Sequence, residues 1–297
     1  MTRLDVEGPI YVAGHTGLVG SALCRRLAAA GRNDVLTATH DELELTDPAA
    51  VGDFFADRRP ATVFLAAALA GGIDRNRTYP ADMIRVNLAI QTAVMDAAFR
   101  HGAAKLVFLG SACAYPRDTH QPIAPDALLT GPVEPTNRPF AIAKIAGIEM
   151  CSAYHAQHGC AFVPVIPCTV YGPGDHFDAN GHVVAALIAR FHAAKVAGDA
   201  EVTVWGTGTP RREFLYVDDV ADALITVGER CDAPGIVHVG VGEDIAIGEL
   251  ARVIARAIDY DGRITFDTSR PDGMPRRLLD SSAIRALSWQ PTVPLAE

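Results

Sequence analysis

The stretch Gly14-His15-Thr16-Gly17-Leu18-Val19-Gly20 decides the fold, because it lies between a short apolar run and an amphipathic segment. The preceding run, Ile10 to Ala13, is typical of a buried strand. In the segment that follows, Val19, Leu23 and Leu27 recur at every fourth position, which predicts a helix. A glycine turn between strand and helix presents backbone N–H groups at the positive end of the helix dipole. The stretch therefore predicts a site for an anion such as a pyrophosphate.

The three glycines are spaced Gly-x-x-Gly-x-x-Gly, whereas the commoner dinucleotide fingerprint is Gly-x-Gly-x-x-Gly. Glycines are common wherever a loop meets a helix, so the flanking strand and helix decide the interpretation. They favour a dinucleotide site over a plain tight turn.

Composition excludes several classes of protein. The formal charge of −9 argues against a general nucleic-acid or membrane-surface partner. No apolar run approaches the roughly 18 residues of a membrane span, and the first residues lack the features of a signal peptide. The six cysteines show neither metal-ligand spacing nor a disulfide framework, so we expect no metal, reduced thiols and a cytoplasmic protein.

The order of the predicted elements indicates the fold class. Strands are predicted over 35–38, 62–68, 105–110 and 162–166, and helices from Asp47-Pro48, over 81–101 and over 139–158. Strands that alternate with helices predict an α/β fold with a doubly wound parallel sheet, whose ligands lie beyond the carboxyl ends of the strands.

The pattern becomes less regular after Pro167. The elements predicted there are helices from His182, Asp218 and Ile247 and strands over 202–205, 236–239 and 264–266. We divide the chain into a dinucleotide-binding domain over 1–168 and a smaller C-terminal, substrate-binding lobe over 169–297, with part of 213–235 returning to the sheet.

Further motifs extend through almost the whole chain. They are Gly71-Gly72-Ile73, Thr78-Tyr79-Pro80-Ala81-Asp82, Ser111-Ala112-Cys113-Ala114-Tyr115-Pro116, Glu134-Pro135-Thr136-Asn137, Ala141-Ile142-Ala143-Lys144-Ile145-Ala146-Gly147, Val204-Trp205-Gly206-Thr207-Gly208-Thr209-Pro210, Arg212-Glu213-Phe214-Leu215 and Pro271-Asp272-Gly273. With these motifs the chain resembles the GDP-L-fucose synthase family, in the extended short-chain dehydrogenase/reductase superfamily of Rossmann-fold enzymes. The resemblance implies an NAD(P)-dependent 3,5-epimerase/4-reductase acting on GDP-4-keto-6-deoxy-D-mannose or a close relative.

The resemblance assigns the reductive residues. In the family, a tyrosine four residues before the lysine protonates O4 as hydride reaches C4, the lysine binds the nicotinamide ribose, and a serine hydrogen-bonds the C4 oxygen. Lys144 and Ser111 match, but Phe140 stands at the tyrosine position. A positioned general acid contributes roughly 10²–10⁴-fold, so we expect weak reduction. Two explanations stay open: Phe140 was introduced to trap a bound complex, or it is the natural residue of a diverged enzyme.

Cys113 and His182 match the family's epimerisation pair. Protons at C3 and C5 of a 4-keto sugar are acidified by the carbonyl, and inversion needs one group to remove a proton and another to return it on the opposite face. A thiolate serves as base where positive charge is near, and a histidine donates near neutral pH. A buried cysteine and a surface histidine are the alternative.

The coenzyme is NADP or NAD. The cofactor-binding residues that the resemblance implies are Gly14, His15, Thr16, Gly17, Leu18, Val19, Gly20, His40, Asp41, Leu65, Ala66, Ala67, Leu109, Gly110, Lys144, Pro167, Thr169 and Val170. The family reads the 2′-phosphate of NADP with arginines in the first glycine turn and after the second strand, where this chain has Thr16, Ala38 and His40. The missing guanidinium groups weaken the case for NADP. The second strand also lacks a clear acidic residue at its end to hold the 2′-hydroxyl of NAD, unless Asp41 does so.

The substrate-binding residues implied by the resemblance lie mostly in the C-terminal half. They are Ser111, Cys113, His182, Val183, Leu187, Arg190, Trp205, Arg212 and Asp272. Arginine suits diphosphate oxygens and an indole offers a stacking face, whereas Asp272 could equally be a turn residue. Thr169 replaces a family asparagine and Leu69 a family lysine, so the sugar could differ from the fucose precursor.

Two other functions stay open: an epimerase of a different 4-keto nucleotide sugar, and a non-catalytic dinucleotide-binding protein. The helices over 81–101 and 139–158 form a dimer interface in this superfamily, so the resemblance implies a homodimer. The family continues with another helix after Trp289, so the C-terminus is expected to be short.

Overall fold

The structure is a computed structural model that describes residues 7–177, 181–232, 234–270 and 272–296. The strands are β1 (Ile10–Ala13), β2 (Val35–Leu36), β3 (Thr62–Leu65), β4 (Lys105–Leu109), β5 (Ala161–Pro167), β6 (Thr169–Tyr171), β7 (Glu201–Trp205), β8 (Arg211–Arg212), β9 (Phe214–Tyr216), β10 (Val237–Val239), β11 (Ile245–Ala246), β12 (Arg263–Asp267) and β13 (Arg276–Arg277). The α-helices are α1 (Leu18–Ala29), α2 (Pro48–Arg58), α3 (Ile73–Thr78), α4 (Pro80–Arg100), α5 (Arg138–His158), α6 (Val183–Ala197), α7 (Val217–Arg230), α8 (Ile247–Ala257) and α9 (Ser282–Ala286).

The central sheet has six strands in the order β10-β5-β4-β3-β1-β2, and each neighbouring pair is parallel. Helix α1 packs against α7, and α4 packs against both α2 and α5. Parallel strands need such helical crossovers and are buried by them, which explains the almost wholly apolar strands. The predicted doubly wound α/β fold is confirmed.

Two predicted strands extend too far. The second ends at Leu36 instead of Ala38, and the third at Leu65 instead of Ala68. Ala66 and Ala68 are apolar for a different reason, because they line a cavity at the carboxyl end of the sheet. Apolar character alone does not distinguish a strand from the wall of a binding site.

A second buried cluster lies in the C-terminal half. Residues of α6 and α8 pack there against the parallel pair β7–β12. Helix α7 and strand β10 instead belong to the larger cluster around the central sheet. Strand β10 lies beside β5, so the chain returns to the sheet after building part of the second cluster. Our boundary at residue 168 stays a prediction.

Within the described ranges, no helix is long and apolar enough to cross a membrane. The same residues contain no group of three or more His, Cys, Asp or Glu side chains that could hold a metal ion.

Candidate active site

The glycine turn forms a close-packed cradle at the start of α1. Gly14 has a φ of +86°, and a Cβ at this position would lie 2.7 Å from the Ala67 backbone. A Cβ at Gly20 would lie only 2.0 Å from the Gly14 oxygen. Gly17 is the N-cap of α1 and has no side chain to occupy the first-turn N–H groups. The cradle therefore fits the pyrophosphate of a dinucleotide, held by backbone N–H groups.

A cavity of about 550 Å³ runs from this cradle along the carboxyl ends of the central strands. Of the predicted cofactor residues, it is lined by Gly14, Gly17, Leu18, Val19, Gly20, Ala66, Leu109, Gly110, Lys144, Pro167, Thr169 and Val170. Thr16, His40 and Asp41 are exposed outside it, and Leu65 is fully buried in β3. His15 and Ala67 also lie outside its lining, and the Nδ1 atom of His15 is buried without a hydrogen-bond partner among the described residues.

Lys144 lies on α5 at the deep end of this cavity. Its Nζ atom donates a hydrogen bond of 2.8 Å to the Leu109 carbonyl at the end of β4. Burial lowers the pKa of Lys144 to about 8, because a desolvated ammonium is disfavoured. The Phe140 ring, one helical turn earlier, has its centroid 5.8 Å from Nζ. Lys144 is thus placed to influence a group at position 140, but phenylalanine has no proton to donate.

Cys113 faces the same cavity from a short 3₁₀ helix, Ala112–Ala114. The Ser111 side chain begins this helix and accepts a hydrogen bond of 3.3 Å from the Cys113 N–H. The Cys113 Sγ atom accepts a hydrogen bond of 3.0 Å from Asn137 Nδ2, and Arg277 Nη1 lies 3.7 Å away. Amide and guanidinium donors both stabilise negative charge on sulfur, so the surroundings of Cys113 suit a thiolate base.

His182 is the N-cap residue of α6 and lines the cavity that holds Cys113. Its Nδ1 atom lies 3.0 Å from Oδ1 of Asp175, whose side chain is buried. This hydrogen bond raises the pKa of His182 against the opposing effect of burial. The bond fixes the ring so that Nε2 is the nitrogen left for a ligand, and it favours the protonated imidazole that an acid requires.

A second cavity, of about 680 Å³, meets the first at His182, Thr169 and Arg277. The predicted substrate residues in its lining are His182, Val183, Leu187, Arg190, Trp205, Arg212 and Asp272. The Trp205 side chain is 45 % exposed, with the guanidinium groups of Arg190 and Arg270 at 5.5 and 4.8 Å from its ring. This cavity thus combines cations with an aromatic face, as a nucleoside diphosphate requires.

Asp272 has a conformational role in this structure. Its carboxylate accepts hydrogen bonds of 2.7 and 2.8 Å from the N–H and hydroxyl of Thr207. These bonds hold the loop after Trp205 in place. Pro271, in the same predicted motif, lies outside the described residues.

Four residues of the site described above were not predicted from the sequence as site residues: Asn137, Asp175, Arg270 and Arg277. Asp175 belongs to a Gly-Pro-Gly-Asp sequence that is typical of a turn, and Asn137 to a motif used only for the resemblance. Arg277 lies 164 positions after Cys113. These side chains meet only in the folded chain, so sequence spacing does not reveal most of their contacts. Asp175 is the exception, because its position seven residues before His182 was a signal in the sequence.

These features define an enzyme of the doubly wound α/β class, with a glycine cradle that fits a dinucleotide, a cysteine and a histidine in one cavity, and an adjoining cationic cavity. The chain belongs to the NAD dependent epimerase/dehydratase family, whose model matches residues 10–242. It is therefore an NAD(P)-dependent epimerase/reductase, and the NADP-or-NAD prediction agrees with the family.

The relatives confirm the more specific resemblance. The chain is 50 % identical over 295 residues to "Probable GDP-L-fucose synthase 1" of Oryza sativa subsp. japonica, covering 99 % of this chain and 90 % of the relative. It is 47 % identical to "GDP-L-fucose synthase" of Escherichia coli (strain K12), covering 94 % and 90 %. A solved GDP-mannoheptose C4 reductase from Campylobacter jejuni, with NADP bound, matches with a TM-score of 0.88 and 35 % identity, covering 97 % and 95 %.

Proposed function

We propose that the protein epimerises C3 and C5 of GDP-4-keto-6-deoxy-D-mannose, or of a close relative, and reduces C4 slowly because Phe140 replaces the acid. The observation that carries this proposal is that Cys113, His182 and Lys144 line one cavity. The curated relatives named GDP-L-fucose synthase support the substrate, since they match nearly the whole chain.

In the epimerisation, Cys113 removes the acidified proton from the sugar and His182 returns one to the opposite face. Asn137 and Arg277 stabilise the thiolate before the proton moves. Asp175 holds the His182 imidazole by Nδ1 and favours its protonated form. The Ser111 hydroxyl is placed to hydrogen-bond the C4 oxygen, which carries negative charge when the neighbouring carbon loses its proton.

For the reduction, a bound nicotinamide supplies hydride to C4. Lys144 binds the nicotinamide ribose and, in the family, lowers the pKa of the tyrosine at position 140. Phe140 keeps the ring but lacks the hydroxyl, so O4 must take its proton from another donor. Tyr115 is not that donor, because it is buried and its hydroxyl is bonded to His238 at 2.6 Å.

The test is to incubate the protein with GDP-4-keto-6-deoxy-D-mannose and reduced coenzyme in D₂O. We expect deuterium at C3 and C5 by mass spectrometry, and coenzyme oxidation slower by about 10²–10⁴-fold than in the Phe140→Tyr variant. Cys113→Ala is the control for exchange. Absence of exchange in the intact protein would contradict the epimerase function.

A different 4-keto sugar is the second candidate substrate, because Thr169 and Leu69 both line the coenzyme cavity where the family has asparagine and lysine. Exchange with another GDP-4-keto sugar, at a higher kcat/KM than with the 6-deoxymannose derivative, would favour it. Coenzyme binding without exchange on either sugar would indicate a non-catalytic binding protein.

We further propose a homodimer that forms through α4 and α5. These helices pack side by side and expose Phe99 and Ile142, which are 37 % and 39 % exposed. Light scattering during size-exclusion chromatography should give twice the chain mass of 31.5 kDa, and Ile142→Glu should shift it toward the single-chain value. The free cysteines and charge of −9 favour a cytoplasmic protein without a nucleic-acid or membrane partner.

A further inference from the structure

The loop after β2 carries a carboxylate-bearing turn close to the glycine cradle. The chain makes one helical turn there, with the Leu43 N–H donating to the Thr39 carbonyl at 2.9 Å. Glu42 closes this turn, since its carboxylate accepts hydrogen bonds of 2.8 and 2.9 Å from the N–H and hydroxyl of Thr39. These bonds lower the pKa of Glu42, and the charge of His15 lowers it further. Glu42 is thus an anion held near the cradle residue His15.

This loop lies where the adenosine end of a dinucleotide is bound. Strands β1 and β2 are parallel neighbours, with Ile10 opposite Val35, so the loops that follow them run side by side at one edge of the sheet. In doubly wound folds, an acidic residue after the second strand takes the ribose 2′-hydroxyl of NAD, while an arginine takes the 2′-phosphate of NADP. The buried Nδ1 atom of His15, unpartnered among the described residues, independently marks this region as one that a ligand completes.

The charges near this ribose position are mostly negative. The sequence has no lysine or arginine from Gly14 to Gly20 or from Thr37 to Thr46, but it has Asp41, Glu42 and Glu44. His40, the candidate cation of the loop, has its Nε2 atom 3.3 Å from the Glu44 carboxylate. A 2′-phosphate carries a charge of roughly −1.5 to −2 at pH 7. It would meet the carboxylates of this loop, and neither of the two stretches supplies a guanidinium to pair with it.

We propose that this adenosine-ribose subsite selects NAD(H) and disfavours NADP(H), with Glu42 and Thr16 as the residues that determine the choice. The inference rests on the proposed function only in requiring a coenzyme. Thr16 is exposed in the glycine turn, at the position where the family that the chain resembles has an arginine for the 2′-phosphate. Glu42 supplies a negative charge that repels the 2′-phosphate, and its hydrogen bonds to Thr39 hold the carboxylate in place.

The test measures binding in the absence of sugar, by titrating the protein with NADH and with NADPH and following the fluorescence of the reduced nicotinamide. We expect NADH to bind at least about 10-fold more tightly, because an unpaired phosphate beside a carboxylate is penalised. The preference should shrink as salt is raised, since the repulsion is screened.

Variants separate the charge effect from damage to the fold. Thr16→Arg should tighten NADPH binding by about 10-fold or more while changing NADH binding much less, because guanidinium pairs with phosphate. Glu42→Gln keeps an oxygen acceptor for Thr39 and should also improve NADPH binding. Asp53→Asn, an exposed residue of α2, removes the same charge elsewhere and should leave the ratio unchanged.

The outcomes distinguish this inference from the proposed function. If the unaltered protein binds the two coenzymes equally, or binds NADPH more tightly, the NAD preference is overturned. That result would not bear on the proposed epimerisation, which the isotope-exchange experiment tests separately. Equal improvement by Glu42→Gln and Asp53→Asn would overturn the role of Glu42. Failure of both coenzymes to bind would contradict the proposed function itself.

Discussion

The Nδ1 atom of His182 lies 3.0 Å from Oδ1 of Asp175, at the start of α6. The carboxylate is buried, whereas about half of the imidazole is exposed to the cavity. Oδ1 also accepts the His176 N–H at 2.8 Å, which orients the carboxylate. A fixed and buried carboxylate behind a histidine defines both the tautomer and the direction of the ring.

Replacing Asp175 with asparagine should shift the pH dependence of isotope exchange. The carboxylate raises the pKa of His182, so its loss lowers that pKa and leaves less imidazolium at any pH above it. We expect the alkaline limb of the pH profile for C3 and C5 exchange to move to lower pH. On that limb the exchange rate should fall, by less than the roughly 10²–10⁴-fold that a positioned acid contributes in total. Asp175→Glu should restore part of the profile. An unchanged limb in Asp175→Asn would show that Asp175 does not act through His182.

The Phe140→Tyr variant should gain ketone reduction. A hydroxyl added to the ring would lie near Lys144. The buried ammonium of Lys144 favours the phenolate and so lowers the pKa of the added phenol. We expect coenzyme oxidation with the keto sugar to rise by about 10²–10⁴-fold. Exchange of the C3 and C5 protons should stay close to that of the unaltered protein, which serves as the internal control. No gain in reduction would mean that position 140 is not a disabled acid.

Removing the donors around Cys113 should slow proton removal. Arg277→Met takes away the guanidinium 3.7 Å from Sγ, and Asn137→Ala takes away the amide at 3.0 Å. We expect each to reduce the exchange rate by at least about 10-fold, because a hydrogen bond to a charged group contributes roughly 1.5–3 kcal/mol. Alkylation of Cys113 by iodoacetamide at pH 7 should slow in parallel.

Arg277→Lys is the matched control, since it keeps the charge, and it should retain more activity than Arg277→Met. If both variants lose only sugar affinity and alkylation is unaffected, Arg277 binds substrate and does not assist the thiol.

The glycine cradle should tolerate no methyl group at Gly20. A Cβ there would lie 2.0 Å from the Gly14 oxygen, so Gly20→Ala must displace the turn. We expect NADH binding to weaken by at least about 10-fold, because one misplaced charge-assisted hydrogen bond contributes 1.5–3 kcal/mol.

Gly52→Ala is the matched control, because it adds a methyl group to α2 with nothing within 4 Å. This variant should bind NADH normally and be stabilised by about 0.5–1 kcal/mol in urea unfolding. Normal coenzyme binding by Gly20→Ala would contradict the cradle.

The fold was predictable because its signals are local. The glycine turn after an apolar strand, and the alternation of strands and helices, indicate a parallel sheet without knowledge of distant contacts. Helix bounds agree within a residue or two for α4 and α5. In α2, Val51 and Phe55 are buried, whereas Phe54 is half-buried and packs on Tyr11, since helical periodicity places it beside the buried face.

Sequence motifs predicted part of the candidate site. Cys113, Lys144 and His182 were identified from the resemblance, and the structure places them around one cavity. Asp175, Asn137 and Arg277 were missed because their contacts are with other side chains of the candidate site. Such contacts depend on the path of the chain between distant positions, and no local spacing records them.

The thiol-bearing turn is anchored from outside the site. Tyr115, two residues after Cys113, is hydrogen-bonded to His238 on the edge strand β10, and His238 in turn contacts the Asp280 carbonyl at 3.1 Å. Burial lowers the pKa of His238 to about 4, so this linkage keeps one protonation state throughout the neutral range. The position of the Cys113 thiol therefore depends on strand β10, whose residues line neither cavity, and a substitution of His238 should disturb the candidate site from outside it.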